Sequence, residues 1–326
     1  MILGQGRAVS AFADAWRLRK LHHAWLLAGP KGVGKARFGF AAARRVLADA
    51  AGPTVDMPGI ETPDNHPIVR LVKAGSHPDM RWLQRLPKEK GEGLARDITV
   101  KQVRELGDFM GMTAALSPWR VAVIDTVDEL QSAGANALLK ILEEPPPNTL
   151  FFLVTNAAGR LLPTIRSRCR RLEFAALGDD AMTSILEAHA PSVTVAERER
   201  IIAMAGGSAS RALAFAELGL AKLEDMALGI LRDGDATNAR RAELALELGK
   251  KGAAERYAAF LDLAPALIAR EARRMDGPVR QRALDAYGRA RELAGMAPRL
   301  SLDPAATVFQ LGGILAGVAE PLSLKR

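Results

Sequence analysis

The chain has 326 residues, more than one typical compact domain holds, and its apolar share of 48% and charged share of 25% exclude long-range disorder. Its 45 Lys and Arg against 37 Asp and Glu give a net charge of +8, which suits an anionic partner such as nucleic acid and is equally met by plain solvated charge. A single cysteine, Cys169, excludes an internal disulfide and a cysteine-based zinc cluster, and no run approaches the ~18 apolar residues of a membrane span, so a reducing cytoplasm and no membrane are expected.

Taken in chain order, the first half alternates short apolar runs with helical patterns, the signature of a parallel α/β sheet. Five strands are predicted, over 24–28, 80–83, 121–125, 150–155 and 171–174. The first runs into Gly29-Pro30-Lys31-Gly32-Val33-Gly34-Lys35-Ala36, which opens an Ala-rich helix reaching about Ala48. A glycine-rich turn from strand to helix is the setting of a phosphate loop. Gly29, Gly32 and Gly34 let the backbone wrap phosphates, amides at the helix start supply donors, and Lys35 can reach the terminal phosphates. Ala36, however, replaces the hydroxyl residue that holds magnesium in such sites, so metal-assisted hydrolysis should suffer. Two readings stay open for the loop: weak occupancy by ATP or ADP, or a vestigial turn that only shapes the domain.

Residues 49–79 are rich in Pro and Gly and read mostly as loop, as do residues 87–97. A helix follows behind Thr99 as N-cap, with Val103, Leu106 and Met110 as its buried stripe and Lys101 and Arg104 off it. The third strand, Val121-Ala122-Val123-Ile124-Asp125, ends in an acid that can order magnesium through water. The next residue is Thr126, which cannot serve as a general base at neutral pH. The helix that ends Leu142-Glu143-Glu144-Pro145-Pro146 turns Leu138, Leu139 and Leu142 to the core and leaves Lys140 outside, where an ordinary solvated lysine would also sit.

Thr155 and Asn156 close the fourth strand at a position suited to sensing phosphate. Arg168, at an exposed strand-to-strand connection, is placed either to project into a neighbour's nucleotide site or to form a surface ion pair. Cys169 reads as a small buried residue with no base near it, and the five histidines read as structural. After Phe174 the composition turns to Ala, Leu, Arg and Glu and predicts helices throughout. The expected layout is 1–175, 176–225 and 226–326, the second division falling where Gly229, Gly234 and the acids near Asp235 interrupt the helical pattern.

In order, Gly4-Gln5, His23-Ala24, the phosphate loop, Ser76-His77-Pro78-Asp79, the Asp125 strand, the Glu143-Glu144-Pro145-Pro146 helix end and Ser167-Arg168-Cys169 resemble bacterial DNA polymerase III clamp-loader subunits of the AAA+ class. The resemblance spans about the first 175 residues; beyond it, Gly206-Gly207-Ser208 to Arg211-Ala212-Leu213 is similar to the family's sensor-2 helix. It implies an AAA+ sheet domain, a small helical lid and an all-helical collar, with Arg211 facing the nucleotide. Ala36 and Thr126, beside a retained Ser167-Arg168-Cys169, look like the delta-prime branch, in which Arg168 would be an arginine finger offered to an adjacent ATPase subunit. The same resemblance implies ATPase and clamp-opening subunits, a sliding clamp and primed DNA as partners, with Arg104 and Lys140 against the DNA backbone. The family often carries a four-cysteine zinc module before Asp79; residues 49–79 hold no cysteine, so no zinc is expected. The rival readings are an active clamp-loader ATPase subunit and a phosphate-loop nucleotide kinase.

Overall fold

The computed structural model describes residues 2–88 and 94–319. Of the predicted 87–97 loop, residues 89–93 therefore lie outside the described ones. The chain packs as two compact units, Met1–Ser184 with Gly206–Ser210, and Ile185–Ala205 with Arg211–Arg326.

The first unit runs α1 (Gly6–Arg17), β1 (Ala24–Ala28), α2 (Lys35–Ala51), α3 (Pro67–Lys73), β2 (Met80–Gln84), α4 (Val100–Gly111), β3 (Arg120–Asp125), α5 (Ser132–Glu143), β4 (Thr149–Thr155), α6 (Pro163–Ser167) and β5 (Arg170–Glu173). The strands form one parallel sheet in the order β2-β3-β4-β1-β5. All five predicted strands are present within a residue or two, and they form the expected five-stranded parallel sheet. β1 and β4 are buried along their whole length, as strands covered by helices on both faces must be.

On one face α2 packs over an aromatic cluster, in which Phe12 meets Trp25 at 5.2 Å and Phe152 at 5.3 Å, and Phe38 meets Phe174 at 5.1 Å between ring centres. On the other, Val103, Leu106 and Met110 of α4 join Leu138 and Leu142 of α5 against Ile124 and Leu153. Thr99 caps α4 with a full capping box, its hydroxyl accepting from the Gln102 amide while the Gln102 side chain accepts from the Thr99 amide.

The 49–79 segment is more ordered than its Pro and Gly content predicts. It contains α3, begun by Pro67 and capped by His66, whose Nδ1 accepts from the Ile68 amide at 3.3 Å. Arg45 gathers the preceding loop: its guanidinium donates to the carbonyls of Val55, Met57 and Glu61 at 2.8 to 3.1 Å and to Asp49 at 2.7 Å.

The second unit is helical, as expected. It holds the C-terminal part of α7 (Asp179–His189) and most of α9 (Ala209–Glu217) together with α8 (Val195–Ala205), α10 (Leu220–Asp233), α11 (Ala239–Leu248), α12 (Ala254–Ala272), α13 (Gly277–Met296) and α14 (Pro304–Ala316). Its core joins Leu223, Ile230, Leu244, Phe260, Ile268 and Leu311. The 219–235 stretch is one continuous helix bounded by Gly219 and Gly234 rather than an interrupted pattern. Gly229 lies inside it, between the buried Ala227 and Ile230.

Asp79 fixes the start of β2. Its carboxylate accepts from the amides of Ala115, Leu116 and Ser117 at 2.6, 2.7 and 2.9 Å, pinning the turn before β3. Burial opposes its charge, yet the three amides outweigh that penalty and hold its pKa below the usual carboxylate value. Asp79→Ala should cost roughly 2–4 kcal/mol at neutral pH, because it strands donors inside the protein. Since the folded pKa is depressed, this stabilisation is complete above the ordinary carboxylate pKa of ~3.9 and fades as pH falls through the folded value. Urea midpoints of wild type and variant should thus differ at pH 7 and begin to converge only below the ordinary carboxylate range.

Candidate nucleotide-binding site

Strand register assembles the site. Ala28 lies opposite Thr155 on one side and Glu173 on the other, and Asp125 lies opposite Val154. The carboxyl ends of β1, β3 and β4 therefore open on the same edge, where the loop 29–36, Asp125, Thr155 and Asn156 meet.

The loop has the predicted bends. Gly29, at φ 156°, runs so close to β5 that a Cβ would stand 2.2 Å from the Phe174 carbonyl oxygen. Gly32, at φ 81°, has no room either: a Cβ would sit 2.1 Å from the Ser210 hydroxyl and 2.2 Å from that of Ser208. The Ser210 amide donates to the Gly32 carbonyl at 3.2 Å. The Gly206–Ser210 segment thus lies directly on the loop. Gly34, also left-handed, forms the N-cap of α2.

Lys35 is 3% exposed, and its ammonium is already held by this chain. Nζ donates to the carbonyls of Gly29 at 2.7 Å and Pro30 at 2.5 Å and to Oδ1 of Asn156 at 2.9 Å. Burial lowers its pKa to about 8, against the opposing pull of Asp125 and Asp128. Ala36, next on α2, brings a methyl group where a magnesium-binding hydroxyl would be needed.

At the end of β3, the Thr126 hydroxyl donates to Oδ1 of Asp125 at 3.2 Å, so it steadies the carboxylate and offers no base to water. Asp128 organises the neighbouring strand end. Its carboxylate accepts from the Thr155 hydroxyl at 2.5 Å and from the Asn156 amide at 2.6 Å. This residue escaped the sequence reading, although an acid three positions past Asp125 at a strand exit was a visible signal. Ser208 and Ser210 escaped as well, since nothing in their spacing places them over residue 32.

Arg168 stands apart from this cluster, between α6 and the edge strand β5, and is 34% exposed. Its guanidinium donates to Glu143 of α5 at 2.8 Å and to the Thr164 carbonyl at 2.9 Å. Of the two readings of its position, the ion pair within the chain is present, and the side chain is partly open to solvent at the sheet's edge. Arg104 on α4 and Lys140 on α5 are exposed, with no ion pair among the described residues, on two helices that share one core. Arg211 lies on α9 in the other unit, with its guanidinium over the Phe215 ring at 5.2 Å.

Cys169 is partly buried, and burial pushes its thiol up to about 12, which leaves it protonated and unreactive. Among the described residues no group of three or more His, Cys, Asp or Glu side chains could hold a metal. No described helix is long and apolar enough to cross a membrane.

The chain matches the family described as DNA polymerase III, delta subunit, over residues 4–178. It is 34% identical over 189 residues to the DNA polymerase III subunit delta' of Pseudomonas aeruginosa, covering 57% of this chain and 53% of that one. It is 36% identical over 155 residues to the subunit delta' of Escherichia coli, covering 46% and 41%, and 30% identical over 186 residues to the subunit gamma of Buchnera aphidicola, covering 57% and 47%. The chain spans about half the length of the curated relatives it matches.

For a triphosphate to enter, Lys35 must leave its carbonyls and be charged. With a free-state pKa of about 8, the affinity of a fluorescent ATP analogue should be weak and nearly level below that pH, then fall by up to about tenfold per pH unit above it. Lys35→Met should bind more weakly still and lose the pH dependence. A level profile for the unaltered chain up to pH 9.5 would contradict the buried environment of Lys35.

Proposed function

This chain belongs to the DNA polymerase III delta-subunit family, the clamp-loader family its motifs resemble, and from that premise we propose that it acts as a delta-prime-type subunit. In this reading it supports ATP-dependent loading of a sliding clamp onto primed DNA during replication and hydrolyses little or no ATP itself. The observation that carries the proposal is a pair of losses in an otherwise built site: Ala36 removes the magnesium hydroxyl, and Thr126 removes the base. The self-satisfied Lys35 and the serines against Gly32 support it, because a nucleotide would have to displace both.

Arg168 is the positive half of the proposal. It acts as an arginine finger toward an ATPase subunit seated against this edge, where a fixed guanidinium stabilises the charge of a transferring phosphoryl group. The pair with Glu143 does not preclude this. Both partners are more than a third exposed, and pairs of that kind contribute only about 0–1 kcal/mol, so a triphosphate can take the guanidinium over.

Arg104 and Lys140 contact the DNA backbone without reading bases, which fits two unpaired cations on adjoining exposed helices. The partners in this reading are ATPase and clamp-opening subunits, the sliding clamp and primed DNA, in the cytoplasm. In this reading the helices before Gly219 form the lid, with Arg211 at its sensor helix, and the collar begins with α10, since that helix runs unbroken through the expected division at 225. An active ATPase subunit would have to work without a hydroxyl at residue 36 and a carboxylate at residue 126. A nucleotide kinase would have no use for Arg168 at an exposed edge.

The deciding experiment is reconstitution with candidate ATPase and clamp-opening subunits. The chain alone should show negligible ATPase with or without primed DNA, and turnover like that of the assembly would reject the proposal. Arg168→Ala should leave assembly intact and lower ATPase by roughly 10³-fold or more at the site it serves; an unchanged rate removes the finger role. Arg104→Ala with Lys140→Ala should weaken DNA binding equally across sequences and make its salt dependence shallower. A sequence-selective defect would contradict backbone contact.

A further inference from the structure

Beside the end of the phosphate loop, where Ala36 forms part of its lining, α2 borders a cavity of about 480 Å³. Arg37, Phe40, Ala41 and Arg44 lie at helical spacing on one side of the helix and form one wall. Phe40 meets Trp82 of β2 edge to face at 4.7 Å between ring centres, and Ile60 and Val72 complete an apolar floor. Trp82 is nonetheless 46% exposed, a large apolar surface to leave in water.

The rim is cationic. Arg37, Arg44 and Lys73 face one carboxylate, Glu61, and Lys73 is the one of the three with an ion-pair partner among the described residues, Asp64 at 2.8 Å. Nε of Arg44 is buried without any hydrogen-bond partner, a state that costs free energy unless something else accepts from it. β2 is an edge strand that pairs with β3 alone among the described residues, so its outer side carries no strand. An unpaired edge beside an apolar recess is the arrangement that receives an extended peptide, with alternate side chains dropping into the recess.

We propose that this recess is a docking site for an acidic, extended peptide segment of a partner protein. One or two aliphatic or aromatic side chains of the segment fill the space between Phe40 and Trp82, and its flanking carboxylates meet Arg37 and Arg44. A bare polyanion does not account for the apolar floor, and an uncharged apolar peptide does not account for the rim. The proposal is independent of the ATPase reading, since none of these cations belongs to that site.

The test is selection of random displayed dodecapeptides on the full chain, followed by fluorescence polarisation with the enriched peptides. Enriched sequences should carry apolar residues at alternate positions flanked by Asp or Glu. Their affinity should fall by about tenfold or more on Trp82→Ala, as expected for an aromatic anchor in a recess. The double variant Arg37→Glu with Arg44→Glu should cause a similar loss, and binding to the unaltered chain should weaken with salt. Arg37→Glu alone changes an exposed helix side chain and keeps the test valid should Trp82→Ala unfold. No enrichment, enriched peptides without acidic residues, or binding that survives both the aromatic and the charge variants would overturn the proposal. So would a labelled thymidine dodecamer that binds and is lost on Trp82→Ala, which would make the recess a nucleic-acid site.

Discussion

Ala28 lies level with Thr155 and Glu173 because β1 is the strand on which its two neighbours register. A slip of one residue would turn β1 over and send Trp25 and Leu27 to the opposite face, exchanging the sets that pack beneath α2 and beneath α4 and α5. It would also move the phosphate loop away from Asn156. The aromatic cluster around Phe12, Phe38 and Phe152 therefore sets the position of Lys35 as well as the stability of the sheet. Asp79 performs the same service for the far strands, since its three amide contacts hold the turn that leads into Asp125.

Within that frame the lysine is the informative residue. A phosphate-loop lysine needs an anion or a substitute for one, and here carbonyl dipoles and an asparagine serve. Such contacts satisfy an ammonium without adding negative charge to the site, so burial still depresses its pKa. Any phosphate would compete with interactions already in place and with the serines on Gly32, which weakens binding even where the glycines keep their shape. Occupancy and turnover are separate quantities, because weak binding leaves the missing hydroxyl and missing base untouched.

The sheet was legible because a parallel core strand writes itself as an apolar run between turn residues, and helix starts were legible through Thr99 and the glycine turn. Arg45 was not, because a guanidinium that ties three loop carbonyls to Asp49 of α2 leaves no periodicity behind. It organises the segment between α2 and α3 through its carbonyl contacts. Asp128 and the serines over Gly32 belong to the same class of omission: contacts between distant segments, set by the fold rather than by spacing. The 219–235 helix failed for a different reason. Glycines at its two ends, in φ > 0 conformations, act as caps, and one inside it reads the same in sequence.

Arg168 joins these observations into one electrostatic argument. A guanidinium is planar and presents its donors in a fixed fork, so what it can contact depends on where it is held. Glu143, the last residue of α5, and the Thr164 carbonyl hold it at the sheet's edge through two of its donor groups. Five N–H donors are available to a guanidinium, so these contacts orient the side chain without exhausting it. A partly ordered arginine loses less side-chain entropy when it meets a phosphate than a free one would. The Glu143-Glu144-Pro145-Pro146 helix end and Ser167-Arg168-Cys169 thus meet in one ion pair: the first supplies the carboxylate, the prolines end the helix there, and the second supplies the cation.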